Sequence, residues 1–188
     1  MEILYDKIIK FSNTINQKEW IDLIENTNND SYPFLEVERR PHLTMMLPMI
    51  LTEKDSFNSI KLRNLFYATV FDHFANYMKY YNNFGIVSKK NVINVSKLTA
   101  NKSMPYHNDS NDPKHIIGML YLSEDFEGGE LSFRDIPLEY KPKIGDFIIY
   151  PGSLSHCVKE MTGNPRYSMG VGLLDPIHID KPVIKVYN

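Results

Sequence analysis

The residue types best suited to chemistry in this sequence are two histidines and an aspartate. His107 and Asp109 form a His-x-Asp pair, and His156 lies much further along the chain. Side chains alternate along a β-strand, so an imidazole and a carboxylate two residues apart project from the same face. A second histidine from a distant strand completes a 2-His-1-carboxylate set, which leaves coordination positions open and suits the oxygen chemistry of non-haem Fe(II). We therefore predict a metal site formed by these three side chains.

An arginine follows the second histidine at a short distance. Arg166 lies at the start of a predicted strand. Its guanidinium is a planar, permanently charged fork of donors that fits a carboxylate better than the ammonium of lysine does. Together with the metal site, this fixed cation for an acidic co-substrate predicts an oxygenase. The alternative for Arg166 is an ordinary surface salt bridge.

The composition is that of a folded globular chain. Of its 188 residues, 43% are hydrophobic and 12% aromatic, and we expect a single domain that spans residues 1–188. The net charge of −2 gives no bulk attraction to nucleic acid or to an anionic membrane, although a local basic patch is compatible with it. We therefore expect neither as a partner. The sequence makes no prediction of the oligomeric state.

Two features bear on location. The N-terminus carries acids early and lacks the basic-then-apolar order of a secretion signal, and the apolar run at residues 45–51 is too short to span a bilayer. Cys157 is the only cysteine, so no intrachain disulfide can form. We expect a cytoplasmic protein in which Cys157 is a small buried hydrophobe rather than a nucleophile.

Residues 1–90 are predicted to be mainly helical support for the remainder. Residues 3–11 have the pattern of one strand, and Asn16 with Glu19 forms a capping pair that opens a helix through about residue 25. Residues 28–52 contain three prolines and are expected to be irregular, as a lid over the site or as a plain wrapping segment.

A second, long helix is predicted from an Asp55 cap to about residue 81. Its apolar side chains follow the three-and-four spacing of one buried stripe, which we expect to pack on the outside of a sheet. The members of the stripe are Leu62, Leu65, Phe66, Val70, Phe74, Tyr77, Met78 and Tyr81.

From residue 91 the pattern changes to short strands separated by turn residues. Closely spaced short strands with tight turns are typical of a sandwich or jelly roll, so we predict an α+β fold with a β-roll over residues 91–175 and a C-terminal tail over 176–188. The predicted strands cover residues 92–98, 115–122, 130–133, 146–150, 156–160 and 166–173.

A lone His-x-Asp pair is weak evidence, and this chain contains a second one. His178 and Asp180 also fit the pattern, but no histidine follows them and Pro176 and Pro182 flank them. We therefore expect the metal at the first pair. The other histidines have no ligand spacing and are expected to be ordinary surface or core residues; they are His42, His73 and His115.

Several segments together resemble a known family. They are residues 104–109 (MPYHND), 120–131 (LYLSEDFEGGEL), 145–151 (GDFIIYP), and His156 with 166–168 (RYS). In order and spacing they resemble the catalytic core of Fe(II)- and 2-oxoglutarate-dependent oxygenases, in the prolyl 4-hydroxylase-like branch. The resemblance implies a double-stranded β-helix with the helices packed on the outside of one sheet.

The resemblance also implies roles for individual residues. His107, Asp109 and His156 would hold Fe(II), and Arg166 would pair with the distal carboxylate of 2-oxoglutarate, which is consumed together with O₂. By the same resemblance Tyr121 would place its hydroxyl on that carboxylate, and Ser168, on the same strand face as Arg166, would add a hydrogen bond. Related halogenases lack the carboxylate ligand, so the presence of Asp109 favours hydroxylation.

The chain departs from the family pattern at two places. Prolyl-type members often carry a tryptophan six residues after the arginine, where this sequence has Gly172. They also commonly have a tyrosine nine or ten residues before the first ligand, where Lys97 and Leu98 stand. We expect a co-substrate pocket with a different rim and an unchanged metal site.

The leading hypothesis is a dioxygenase that hydroxylates a protein or peptide side chain, with proline as the first guess. A free amino acid or other small metabolite is the alternative substrate. A non-catalytic metal-binding β-roll used for recognition is the alternative of a different class. Oxidative demethylation of nucleic acid is disfavoured, because the second arginine and Asn-x-Thr pattern of that branch are absent after Arg166.

Overall fold

The computed structural model describes residues 1–37, 41–49, 51–81, 92–112 and 115–173. Within these ranges the chain forms two helices and thirteen strands. The helices are α1 (Gln17–Asp30) and α2 (Phe57–Tyr81). In chain order, the strands are β1 (Glu2–Tyr5), β2 (Ile8–Ser12), β3 (Leu35–Glu36), β4 (Leu43–Pro48), β5 (Val92–Leu98), β6 (Lys102–His107), β7 (Ile116–Tyr121), β8 (Phe126–Gly128), β9 (Leu131–Phe133), β10 (Glu139–Tyr140), β11 (Asp146–Pro151), β12 (His156–Gly163) and β13 (Arg166–Leu173).

The strands form two antiparallel sheets. The major sheet has eight strands in the order β1-β2-β11-β7-β13-β5-β4-β3, and the minor sheet has the order β10-β9-β12-β6, with β8 paired to β12. Their inner faces share one buried cluster, in which side chains such as Ile117 and Ile148 of the major sheet meet Leu131 and Phe133 of the minor sheet. This is a jelly roll, and the predicted fold class is confirmed.

Both helices cover the outer face of the major sheet, as predicted. The stripe of α2 is buried or half-buried against that face, and Phe74 meets Phe147 of β11 edge to face at 5.1 Å between ring centroids. The inner face of the major sheet is thereby left free for the barrel interior. Because strand side chains alternate, each strand contributes one set of residues to the helices and the other to the interior.

The helix ends differ in part from the prediction. Asn16 is the N-cap of α1, and its side chain accepts a hydrogen bond from the Glu19 backbone N–H. The helix continues to Asp30 because Thr27 is buried and its hydroxyl donates to the Leu23 carbonyl. Asp55 is not the cap of α2: Ser56 accepts from the Ser59 N–H, and the buried Asp55 carboxylate pairs with Arg63 instead.

Residues 3–11 form a hairpin rather than the single strand that was predicted. Asp6 adopts a positive φ of 27° between β1 and β2, which reverses the chain. β2 then pairs with β11, so that the N-terminal segment extends the major sheet. The first 90 residues are therefore less helical than predicted, since four strands come from them.

The prediction that residues 28–52 are irregular is also wrong. β4 pairs with β5 along its whole length, and Met45 and Leu47 are fully buried. The prediction failed because Pro48 lies at the end of β4 and does not interrupt it, and a strand tolerates proline at that position. Residues 43–48 are therefore part of the sheet. Residues 38–40 of the same segment lie outside the described residues.

The six predicted strands of the roll lie close to their predicted positions, but three further strands, β6, β8 and β10, were not predicted. β5 and β13 have the predicted ends, and the other four differ by a few residues. The sequence did not predict β6, which is the edge strand of the minor sheet and contains Pro105. Its side chains are mostly exposed, so it lacks the apolar alternation by which strands are recognised.

Two further predictions concern the end of the chain. The second pair, His178 and Asp180, and the tail over residues 176–188 lie outside the described residues. Among the residues that are described, no helix is long and apolar enough to cross a membrane.

Candidate active site

The two candidate histidine ligands come from neighbouring strands of the minor sheet. His107 ends β6 and His156 begins β12, and the two residues are direct cross-strand partners. Directly opposed side chains lie on the same face of a sheet. The imidazole ring centroids are 4.4 Å apart, and both rings face the barrel interior, where His156 contacts Phe133 and Tyr150.

Asp109 reaches this site from a loop, whereas the prediction placed it on a strand. β6 ends at His107, and the backbone N–H groups of Asp109 and Ser110 both donate to the Gly152 carbonyl at 3.0 Å. This anchoring directs the carboxylate back toward the histidines. Asp109 Oδ1 lies 3.8 Å from His107 Nε2, and Asp109 Oδ2 lies 3.5 Å from His156 Nε2.

The three side chains fit a divalent metal. One ligand atom from each lies within 4.8 Å of the others. His107 Nδ1 is 2.9 Å from the Pro105 carbonyl and His156 Nδ1 is 2.8 Å from the Leu154 carbonyl, so each ring donates through Nδ1–H and keeps the lone pair of Nε2. Burial lowers the pKa of His156, which favours the neutral, ligating form. Two neutral imidazoles and one carboxylate suit Fe(II).

Arg166 lies in the interior with no carboxylate partner among the described residues. It is 5% exposed, and its Nε–H has no hydrogen-bond acceptor. The guanidinium stacks on the ring of Tyr121, with its Cζ 4.9 Å from the ring centroid. A buried cation without a counter-charge is costly, so an anion, which the described residues do not supply, would stabilise this pocket.

Ser168 and Tyr121 line the same pocket. Ser168 is buried, lies two residues after Arg166 on the inner face of β13, and pairs directly with Tyr121 of β7. The Tyr121 hydroxyl is kept protonated, since burial raises its pKa. Ser168 and Tyr121 therefore share the inner face with Arg166.

Tyr150 connects the metal site and the arginine pocket. It lies on the inner face of β11, fully buried, with its hydroxyl 3.3 Å from His156 Nε2. Burial and the charge of Asp109 raise the pKa of Tyr150 well above its ordinary value, while the charge of Arg166 lowers it. Both charged groups therefore act on one hydroxyl. The sequence indicated no role for Tyr150, although strand alternation places it on the inner face with Ile148.

His115 fills the space that Gly172 leaves. An ideal Cβ at Gly172 would lie 2.3 Å from His115 Nε2, and one at Gly152 would lie 2.9 Å from His115 Nδ1. The imidazole thus lies against two glycines, one of which anchors Asp109. The prediction treated His115 as an ordinary residue, and only its contacts across the fold bring it beside the site.

The second departure from the family pattern is at Lys97 and Leu98, where the resemblance would place a tyrosine. Lys97 lies on the outer face, where it pairs with Glu25 at 2.8 Å. Leu98 is buried and is the direct cross-strand partner of Arg166. The pocket wall beside Arg166 is therefore apolar at this position and presents no tyrosine hydroxyl.

A jelly roll that holds a 2-His-1-carboxylate group and a buried arginine defines the class of non-haem iron oxygenases. Residues 93–171, less than half of the chain, match the model of the 2OG-Fe(II) oxygenase superfamily. The match is to this part of the chain, and it confirms the resemblance seen in the sequence. The superfamily uses Fe(II), 2-oxoglutarate and O₂.

One curated relative is a PKHD-type hydroxylase from Synechococcus sp. (strain CC9902). It is 30% identical over 91 residues, which cover 44% of this chain and 41% of the relative. The match thus spans about two fifths of the length of that protein.

Solved structures show the same fold over most of the chain. The viral collagen prolyl hydroxylase of Paramecium bursaria Chlorella virus-1 has a TM-score of 0.64 at 12% identity, with coverage of 90% of this chain and 96% of the viral chain. A Pseudomonas putida prolyl-4-hydroxylase has a TM-score of 0.61 at 12% identity, with coverage of 90% and 92%. The epimerase SnoN from nogalamycin biosynthesis has a TM-score of 0.59 at 9% identity, with coverage of 90% and 78%. These identities establish the fold alone.

Proposed function

We propose that this protein is an Fe(II)- and 2-oxoglutarate-dependent dioxygenase that hydroxylates a side chain of a protein or peptide, with proline as the first candidate. The observation that carries the proposal is the buried Arg166, which has no counter-charge among the described residues and faces the same barrel interior as the 2-His-1-carboxylate group. A metal site alone would serve many purposes. A metal site paired with an unsatisfied anion pocket fits a dicarboxylate co-substrate.

The roles follow from the contacts. His107, Asp109 and His156 would hold Fe(II), which supplies the centre where O₂ oxidises 2-oxoglutarate to succinate and CO₂ and a substrate C–H bond is hydroxylated. Arg166 would bind the distal carboxylate through two parallel hydrogen bonds. The Tyr121 and Ser168 hydroxyls would donate to the same carboxylate and fix its rotation. Ile117, Ile148 and Phe133, which pack between the two sheets, would exclude water from the interior.

The shape of the inner face favours a polypeptide substrate. β6 is the edge of the minor sheet, whereas the major sheet continues through β5 and β4. Met46 lies on the inner face of β4 beside Asn94 of β5, and it is 49% exposed. The inner face is therefore open to solvent at Met46, and an open face suits an extended chain better than it suits a small molecule.

The relatives support the same reaction. One is a PKHD-type hydroxylase, and two of the structural neighbours are prolyl hydroxylases. SnoN is an epimerase, so the fold alone does not select hydroxylation. A cytoplasmic location belongs to the same proposal, since the single cysteine is free and buried.

The test is turnover with candidate substrates of graded size. The protein would be incubated with Fe(II), 2-oxoglutarate and O₂, with proline-containing peptides, the same peptides with alanine for proline, and free proline. We expect succinate release to be stimulated by the proline peptides, together with a mass gain of one oxygen atom per peptide. If free proline alone stimulates succinate release, the substrate is not a polypeptide. If no member of the panel stimulates succinate release, prolyl hydroxylation is refuted.

A further inference from the structure

Tyr150 spans the barrel from one sheet to the metal ligands of the other. It belongs to β11 of the major sheet, whereas His107 and His156 belong to the minor sheet. Its ring is held edge to face against His156 at 5.0 Å and against Phe133 at 5.6 Å. Two aromatic neighbours and full burial leave the ring little freedom, so the hydroxyl is fixed at the ligand side of the barrel.

The hydroxyl competes with a metal for one lone pair. His156 Nδ1 donates to the Leu154 carbonyl, so Nε2 is the acceptor, and the Tyr150 O–H donates to it at 3.3 Å. A metal ion at this site takes the same lone pair of Nε2. The hydrogen bond to His156 and metal ligation by His156 therefore exclude each other.

A second acceptor, the Asp109 carboxylate, lies near the same hydroxyl. Asp109 Oδ2 is 3.5 Å from His156 Nε2, the atom that the Tyr150 hydroxyl contacts, and the charge of Asp109 raises the pKa of Tyr150. Only one oxygen of that carboxylate is needed for ligation, which leaves the other free to accept. A buried phenol without a hydrogen-bond acceptor destabilises the protein. When a metal takes the lone pair of His156 Nε2, we therefore expect the Tyr150 hydroxyl to donate to the free oxygen of Asp109.

We propose that Tyr150 is a positioning residue whose hydroxyl changes acceptor when metal binds, from His156 Nε2 in the metal-free protein to the Asp109 carboxylate in the metal-bound protein. In the first state it holds the imidazole in the ligating orientation. In the second it fixes the loop-borne carboxylate, which no strand positions directly. This inference rests on the metal site of the proposed function but not on 2-oxoglutarate or any substrate.

The experiment is Co(II) binding to wild-type protein and to Tyr150→Phe, followed by the ligand-field absorption of the bound ion. The substitution keeps the ring and its contacts and removes the hydroxyl alone. We expect Co(II) affinity to fall about tenfold, the lower end of the effect of losing a hydrogen bond to a metal ligand, and the absorption spectrum to change. The long 3.3 Å bond lost from the metal-free state offsets only a small part of this loss.

Tyr77→Phe is the matched control. It removes a hydroxyl from another fully buried tyrosine, one on α2 that donates to the Lys7 carbonyl and takes no part in the site, so Co(II) binding should be unchanged. An unchanged or tighter Co(II) affinity in Tyr150→Phe, with a wild-type spectrum, would overturn the proposal. The readout is independent of the proposed co-substrate: protein that binds Co(II) but not 2-oxoglutarate would refute the function and leave this test intact.

A second measurement needs no variant. Zn(II) has no ligand-field bands, so its addition to the metal-free wild-type protein can be followed in the near-ultraviolet absorption of tyrosine. We expect a tyrosine difference spectrum upon Zn(II) binding, because the phenol moves from a nitrogen acceptor to a carboxylate. Saturation with Zn(II) without any tyrosine difference would contradict the change of acceptor, even if Tyr150→Phe failed to fold.

Discussion

Replacing Arg166 with methionine should weaken 2-oxoglutarate binding by at least about a hundredfold. Two charge-assisted hydrogen bonds to the distal carboxylate, each contributing about 1.5–3 kcal/mol, correspond to that loss. The same substitution should leave the protein without co-substrate as stable as the wild type or more stable, because it removes a buried charge that no described carboxylate balances. Calorimetric titration of 2-oxoglutarate into the Mn(II)-loaded protein measures the first effect, and thermal unfolding measures the second.

Arg134→Met is the matched control for the loss of an arginine. Arg134 is exposed and stacks on Tyr106, the neighbour of the first histidine ligand, at 4.9 Å. Its replacement should change 2-oxoglutarate affinity by less than about twofold, since an exposed charge contributes little at this distance. Wild-type affinity in Arg166→Met would show that the buried guanidinium is not the anion site.

Replacing His156 with alanine should reduce Co(II) or Fe(II) affinity by more than about a hundredfold. Loss of a mere hydrogen bond to a metal ligand costs ten- to a hundredfold, and loss of the ligand itself must cost more. Turnover should disappear with the metal. Equilibrium dialysis with metal analysis checks the affinity, and circular dichroism checks that the variant is folded.

Two further variants show whether the loss of metal is specific to the histidine ligands. Cys157→Ser changes the adjacent residue of β12, whose side chain points to the opposite face, and it should bind metal as the wild type does. His107→Ala removes the partly exposed ligand, 34% accessible against 5% for His156, and should lose metal with less cost in stability. Full metal binding in both histidine variants would place the metal elsewhere in the protein.

The sequence predicted the chemistry better than it predicted the elements that carry it. The ligand types and order of His107, Asp109 and His156 are local facts, and an apolar stripe such as that of α2 depends only on helical spacing. The sequence did not predict β6, because edge strands bury few side chains and tolerate proline. Consequently Asp109 was assigned to a strand, when a backbone anchor on Gly152 positions it.

The surroundings of the site could not be predicted because they depend on which strands become neighbours. Tyr150 meets His156 only because β11 and β12 lie in opposite sheets that face each other. His115 fills the space beside Gly172 only because the start of β7 approaches the end of β13. The spacing of residues along the sequence predicts neither contact. The isolated charge of Arg166 is likewise a property of its surroundings.

The most direct test of the oxygenase site is an anaerobic titration of the metal-free protein with Fe(II) and then 2-oxoglutarate, followed by visible absorption. We expect a weak charge-transfer band of the iron–2-oxo-acid chelate that requires both components and is much reduced in Arg166→Met at the same concentrations. Folded, iron-loaded protein that shows no band at saturating 2-oxoglutarate would contradict the account, and would favour a metal-binding β-roll that lacks the oxygenase reaction.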